Sequence, residues 1–261
     1  MAIVGVSGKM QSGKDTVALM WQYIAQCYNL ERTPSITDYH NYCECRADVL
    51  SDWQIKYFAG KLRKFVASIT GIPLNDLFDD TVKSTVLPSF NKTPRQLLQL
   101  IGTEVCRVID LNFHIIALMN DYKGTQGYEF SSDAPLHGIP TEEDELKYGS
   151  IVTNYPNWLI PDTRFPNELK AIEDRKGSVI RVERSWESRY PNLWKEYIRY
   201  KAIYPGSFMS WLVCEHDDLY RKHSHPSETS LDDHEFTYVI NNNGTLEDLL
   251  NEVERVYNKI M

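Results

Sequence analysis

The chain has 261 residues, is 42% hydrophobic and carries a formal net charge of −8 at pH 7, which suits one large domain or a core domain with an insertion. The acidic balance argues against a broad electrostatic grip on polymeric nucleic acid and favours a small ligand held in a local basic pocket. No apolar run reaches the ~20 residues of a membrane span, and the first residues enter a strand with no signal peptide, so a cytoplasmic protein without membrane association is expected.

In chain order, Val4-Gly5-Val6-Ser7 reads as an apolar strand running into Gly8-Lys9-Met10-Gln11-Ser12-Gly13-Lys14-Asp15-Thr16. Gly8 and Gly13 bracket four residues and Lys14 follows, the spacing of a P-loop, in which backbone N–H groups wrap phosphates and a lysine neutralises them. Val17, Met20, Trp21 and Ile24 then repeat at helical spacing, which sets the loop at a helix N-terminus, where unpaired N–H groups favour an anion. The Ser or Thr that usually follows the lysine and holds Mg²⁺ is here Asp15, whose carboxylate can take that role with Thr16 behind it. Gly8 and Met10 through Thr16 are thus the expected nucleotide-binding residues.

Glu31 to Asp52 has no clean period and is read as a loop or short irregular elements. Five scattered cysteines (Cys27, Cys43, Cys45, Cys106 and Cys214) show no disulfide spacing and are read as reduced thiols. His40, Cys43 and Cys45 lie close together, but no second ligand pair of zinc-site spacing follows, so incidental thiols are the better reading. Strand character resumes at Ile55–Ala59, and Leu62, Phe65, Val66 and Ile69 give the apolar stripe of a following helix. Lys61, Arg63 and Lys64 fall at this strand-to-helix junction, on the edge where open α/β sheets bind ligands. Thr93-Pro94-Arg95-Gln96 specifies a helix start, with an N-cap, a proline at the first position and a glutamine at the third. Leu97, Leu98, Ile101, Val105 and Val108 are expected on one face, with Gln99, Thr103 and Arg107 on the other and Arg95 in the first turn. Such a polar stripe can read a phosphate and a base.

Residues 121–157 are polar and acidic, include the run Glu142–Glu145, and are expected to form a long surface excursion without chemistry. Trp158–Ile160 is a strand ending in Asp162-Thr163-Arg164-Phe165-Pro166-Asn167-Glu168, where Asp162 could hold Mg²⁺ and Arg164 a phosphate. A helix around Ala171 and Ile172 leads to a strand at Ser178–Val182. Residues from about 184 to 228 interleave aromatic and basic side chains with compensating carboxylates, and are read as helical segments forming a lid. Phe236–Ile240 is a final strand, and Leu246, Leu249, Leu250, Val253 and Tyr257 mark a closing helix capped by Thr245.

Alternating strands and helices, with a phosphate loop after the first strand, predict a three-layer α/β fold with a mainly parallel sheet flanked by helices. The residues gathered at the strand C-termini include no obvious nucleophile or general base. That fits phosphoryl transfer to a phosphate acceptor, which is mostly dianionic at neutral pH and needs no base.

The chain resembles the bacteriophage deoxynucleoside monophosphate kinases. The resemblance rests on Ser12-Gly13-Lys14-Asp15-Thr16, on Thr93-Pro94-Arg95-Gln96-Leu97-Leu98-Gln99 with Gly102-Thr103-Glu104 and Arg107, on Asp162 to Glu168, and on His225-Pro226-Ser227-Glu228 before an Asn-Gly turn and terminal helix. It implies a P-loop kinase fold over residues 1–261 and ATP- and Mg²⁺-dependent conversion of deoxynucleoside monophosphates to diphosphates by a homodimer in the host cytoplasm. Lys14, Arg95, Asp162 and Arg164 are the expected catalytic residues. Lys61, Lys64, Arg95, Gln99, Thr103, Arg107, Arg164 and Glu168 are expected to meet the substrate, and Asp15, Thr16 and Asp162 the metal. Two alternatives stay open: a kinase resembling dephospho-coenzyme A kinase, with Asp162 as base, and an ATP-binding switch or packaging module.

Overall fold

The computed structural model describes residues 2–44, 51–130, 149–204 and 206–261. Five strands form a parallel sheet: β1 (Ile3–Gly8), β2 (Trp53–Ile55), β5 (Asn157–Ile160), β6 (Ser178–Glu183) and β7 (Tyr238–Asn241), in the spatial order β2-β5-β1-β6-β7. The other two, β3 (Thr125–Phe130) and β4 (Gly149–Asn154), pair antiparallel as a separate ribbon.

Both faces of the sheet are covered, as an all-parallel sheet requires. On one face Val4, Val6, Leu159, Ile180 and Ile240 pack against α1 (Lys14–Asn29), α2 (Ile36–Glu44) and the C-terminal helix Leu246–Ile260. On the other, Ile3, Trp158, Ile160 and Val179 meet Ile115, Leu118, Met119, Leu169 and Ile172. Those side chains come from α7 (Phe113–Met119) and α8 (Pro166–Glu173), which follow α3 (Gly60–Thr70), α4 (Asp80–Ser84), α5 (Pro94–Gln99) and α6 (Arg107–Ile109) in the chain. Gly5 has no side chain because a Cβ there would lie 2.6 Å from the Ile172 Cδ1 of α8. After β1 the chain runs to one side of the sheet, and after β5 it crosses β1 to the other. That reversal opens a crevice at the C-terminal end of β1, where such sheets bind ligands.

Several expectations need correction. Glu31–Asp52 is not wholly irregular: α2 forms there because Tyr39 and Tyr42, three residues apart on one helix face, bury their rings against Tyr23 of α1. His40 and Cys43 are exposed on that helix, and Cys45 lies outside the described residues. The described cysteines, Cys27, Cys43, Cys106 and Cys214, are free thiols. Within 121–157 the chain forms the β3–β4 ribbon and the start of β5, while the Glu142–Glu145 run lies outside the described residues. On α3 only Val66 of the predicted stripe is fully buried; Phe65 and Ile69 are exposed.

The region from about 184 to 228 is helical: α9 (Trp186–Arg189), α10 (Pro191–Lys201), α11 (Phe208–Glu215), α12 (Asp217–Ser224) and α13 (Pro226–Thr229). Its aromatic side chains pack on one another, with Tyr197, Trp211 and Leu212 buried among Trp186, Trp194 and Phe208. The terminal helix, α14 (Leu246–Ile260), carries the predicted cap, the Thr245 hydroxyl accepting the Asp248 N–H at 3.1 Å. Among the described residues no helix is long and apolar enough to cross a membrane.

Candidate functional site

β1 delivers the chain into the glycine loop at the crevice. A Cβ at Gly8 (φ +151°) would lie 2.5 Å from both the Ser12 hydroxyl and the Val182 carbonyl oxygen. Gly13 (φ +96°) is left-handed, and a side chain there would strike the Asn242 amide, which donates to the Ser12 carbonyl at 2.8 Å. Gln11 is also left-handed, at φ 60°. The loop closes on itself through Ser12 N–H to the Lys9 carbonyl (3.1 Å), and α1 begins with Val17 N–H to the Gly13 carbonyl (2.9 Å). Ser12 is fully buried and its hydroxyl has no hydrogen-bond partner, an unmet polar group that a ligand could satisfy.

Lys14 is buried beneath this loop, and its ammonium donates to the carbonyls of Gly8 (2.7 Å) and Lys9 (2.8 Å). Burial, and then the Arg164 guanidinium, push its pKa down from 10.5 to about 8. Glu228 and Asp15 hold it up, and Arg181 adds to the lowering.

Asp15 is exposed on the first turn of α1, where one oxygen accepts from the Tyr57 hydroxyl at 3.2 Å. Burial and then the Asp15 charge raise the Tyr57 hydroxyl well above its usual range, and Asp162 adds to the effect, so both carboxylates act on one hydroxyl. Arg63 stacks on Tyr57 and Phe78, 4.6 and 4.8 Å from their ring centres. Asp162 is buried, and its two oxygens accept the N–H groups of Phe58 (2.8 Å) and Ala59 (3.1 Å) at the start of α3. Its visible work is to hold that helix against β5. Asp15, Asp162 and the half-buried Thr16 carry oxygen donors only, the chemistry that a hard divalent cation takes. Among the described residues no group of three or more His, Cys, Asp or Glu side chains is placed to hold a metal.

The rim opposite Lys14 comes from residues distant in sequence. Arg164, one residue past Thr163, pairs with the buried Glu228, whose other oxygen accepts the Met10 N–H of the glycine loop at 2.6 Å. Lys9 donates to the Glu228 carbonyl (2.7 Å) and pairs with Asp232, which also meets Arg181 at 3.3 Å. The buried Arg189 of α9 donates to the Met10 carbonyl at 3.2 Å and stacks on Trp186, 4.3 Å from its ring centre. The glycine loop is therefore gripped by α9 and α13.

On α5, Thr93 and Gln96 complete the capping box, with Gln96 N–H to the Thr93 hydroxyl at 3.2 Å and Thr93 N–H to Gln96 Oε1 at 2.8 Å. Arg95 pairs with Asp80 of α4 at 2.8 Å, and Gln99 lies 3.3 Å from the His225 ring at the start of α13. Burial raises the Tyr190 hydroxyl, which meets His223 Nε2 at 2.9 Å.

Beyond Gln99 the predicted two-faced helix does not hold, because Leu100–Cys106 is π-helical. Wider turns rotate everything that follows. Val105 and Val108, expected on one face with the partly or fully buried Leu97, Leu98 and Ile101, are exposed, Val108 by 78%. Arg107, expected on the polar face, turns inward to pair with the buried Glu168 at 2.9 Å and to cover the Phe165 ring. Glu168 also accepts the N–H groups of Arg164 (2.8 Å) and Phe165 (3.1 Å). Burial lifts its pKa from 4.5 to about 7, with Asp162 adding to the rise and the Arg164 N–H and Arg107 opposing it.

The structure thus brings Lys14, Arg164, Asp15 and Asp162 to the crevice, with Gln99 meeting His225 at its rim and Arg95 paired with Asp80 of α4. It directs Arg107 and Glu168 into a buried clamp beneath Arg164. Lys61 pairs with the exposed Asp121 at 3.0 Å, and Lys64 and Thr103 are exposed. Sequence reading missed Glu228, Asp232, Arg181, Arg189, Tyr57 and Asn242 as parts of the site. His225-Pro226-Ser227-Glu228 entered the sequence reading only through the family resemblance, which gave Glu228 no role. No family model matches the chain, and no curated protein matches it.

Proposed function

We propose that the chain is a deoxynucleoside monophosphate kinase that transfers the γ-phosphoryl group of ATP to a nucleotide monophosphate with Mg²⁺. The observation that carries this reading is a strained glycine loop over a buried lysine, facing arginines that separate elements deliver to one crevice. The loop N–H groups and Lys14 would hold the ATP phosphates. Arg164 would meet the phosphates at the loop mouth, and Arg95 and Gln99 would hold the acceptor. Asp15, Thr16 and Asp162 would hold Mg²⁺, which when bound neutralises phosphate charge.

The residues' task is then to align two anions and offset the charge between them. The acceptor phosphate supplies its own nucleophilic oxygen, since its second pKa lies near ~6. A hydroxyl acceptor would need a base in addition, and Asp162 would be the candidate. The helices between 184 and 228, which touch the loop through Arg189 and Glu228, are the proposed lid. The exposed aliphatic side chains Val105, Val108, Ile109, Leu111 and Ile116 supply an apolar surface for the proposed homodimer. A coupled ADP assay with MgATP and each common deoxy- and ribonucleoside monophosphate tests the reading: turnover with at least one monophosphate is expected, and ATP binding with no transfer to any of them would refute it.

A further inference from the structure

We propose that Glu228 is a positioning residue of this site, its buried carboxylate spanning the Met10 amide and the Arg164 guanidinium so that Arg164 is fixed at the mouth of the glycine loop. The inference rests on the kinase reading for its catalytic consequence, but its geometric part stands on contacts alone. The Glu228 side chain is 2% exposed. One oxygen accepts the Met10 N–H at 2.6 Å and the other pairs with Arg164 Nη1. The same Nη1 donates to the Ser227 carbonyl at 3.4 Å. Glu228 is itself held by the short helix α13, where His225 Nδ1 accepts the Ser227 N–H at 3.2 Å and Lys9 clasps the Glu228 carbonyl.

A carboxylate engaged on both oxygens and sealed from solvent acts through its partner rather than on a substrate. Arg164 is the partner with something to offer. Its side chain is 34% exposed, and among the described residues its Nε and Nη2 donate no hydrogen bond. One edge of the planar guanidinium is anchored, and the other remains for a phosphate, which needs its donors held in a fixed fork.

The test uses the full chain as wild type, Glu228→Gln, Arg164→Met and the double variant, with Glu228→Asp as a charge-retaining control. The Arg164 guanidinium is followed by NMR without ligand, its signal assigned by its loss in Arg164→Met. Rotation about its Nε–Cζ bond should be slow in the wild type, where Glu228 and the Ser227 carbonyl hold Nη1, become faster in Glu228→Gln and stay closer to wild type in Glu228→Asp. In turnover, Glu228→Gln should cut kcat about 10- to 100-fold, the usual effect of removing a group that orients a site residue, with MgATP affinity changed less. The double variant should then be no slower than Arg164→Met alone. An Arg164 side chain as restrained in Glu228→Gln as in the wild type, or losses that multiply in the double variant, would overturn the assignment. A freed Arg164 guanidinium in Glu228→Gln of a chain that turns over no monophosphate would uphold the contacts and refute the kinase reading instead.

Discussion

Replacing Lys14 with Met should make the ligand-free protein more stable while abolishing MgATP binding. The magnitude follows from the burial of the ammonium. At about 1.4 kcal/mol per pH unit, lowering its pKa from 10.5 to about 8 corresponds to an unfavourable contribution of about 3 kcal/mol at neutral pH. That figure is already net of the hydrogen bonds the ammonium makes to the Gly8 and Lys9 carbonyls. The variant should therefore gain up to about 3 kcal/mol at pH 7, at roughly 2–4 °C in Tm per kcal/mol for a chain of this size. The pH dependence is the sharper signature. Because the folded pKa is depressed, the unfolded state binds more protons between about 8 and 10.5, so the penalty is fully present below 8 and relieved as pH rises. Urea unfolding of both proteins from pH 7 to 10 should show the wild type gaining on the variant above pH 8. A difference that stays constant with pH would refute the reasoning.

Arg107→Met should leave the buried Glu168 carboxylate without its cation and cost about 3–5 kcal/mol at pH 8. Since burial has raised the folded Glu168 pKa to about 7, the cost of its ionised form is present above 7 and relieved as pH falls, and denaturant melts should show a smaller loss at pH 5. Gly13→Ala should cost about 1–3 kcal/mol through its left-handed backbone and eliminate nucleotide binding by calorimetry, because the added methyl meets Asn242. Arg95→Met should raise the monophosphate KM far more than it changes the MgATP Kd. Lys61→Ala, which removes only an exposed pair with Asp121, should change either by less than about twofold.

The features legible in the sequence are those set by near neighbours. The glycine loop, the Thr93–Gln96 box and the Thr245 cap are each built within a few residues, and hydrophobic period placed β1, β5, β6 and the helices α1 and α14. The inward turn of Arg107 was not legible, because nothing in Leu100–Cys106 announces a π-helix, a rare departure from the 3.6-residue period that the reading assumed. Nor was the ribbon β3–β4, whose polar strands offer no apolar alternation to read. At the site itself, the contact between Glu228 and Met10 joins residues 218 positions apart. Such a pair leaves no periodicity, and Glu228 looks like any surface carboxylate until α13 buries it. Asp162 shows the converse: its position at a strand end suggested a metal ligand, whereas its visible contacts tie down the Phe58 and Ala59 amides just ahead of α3.

The most direct test of the account is phosphoryl transfer itself, measured with MgATP and a panel of nucleoside monophosphates for the wild type and Lys14→Met. The account predicts formation of ADP and a nucleoside diphosphate by the wild type and none by the variant. Equal activity in the two proteins, or nucleotide binding with no diphosphate formed from any monophosphate, would contradict it.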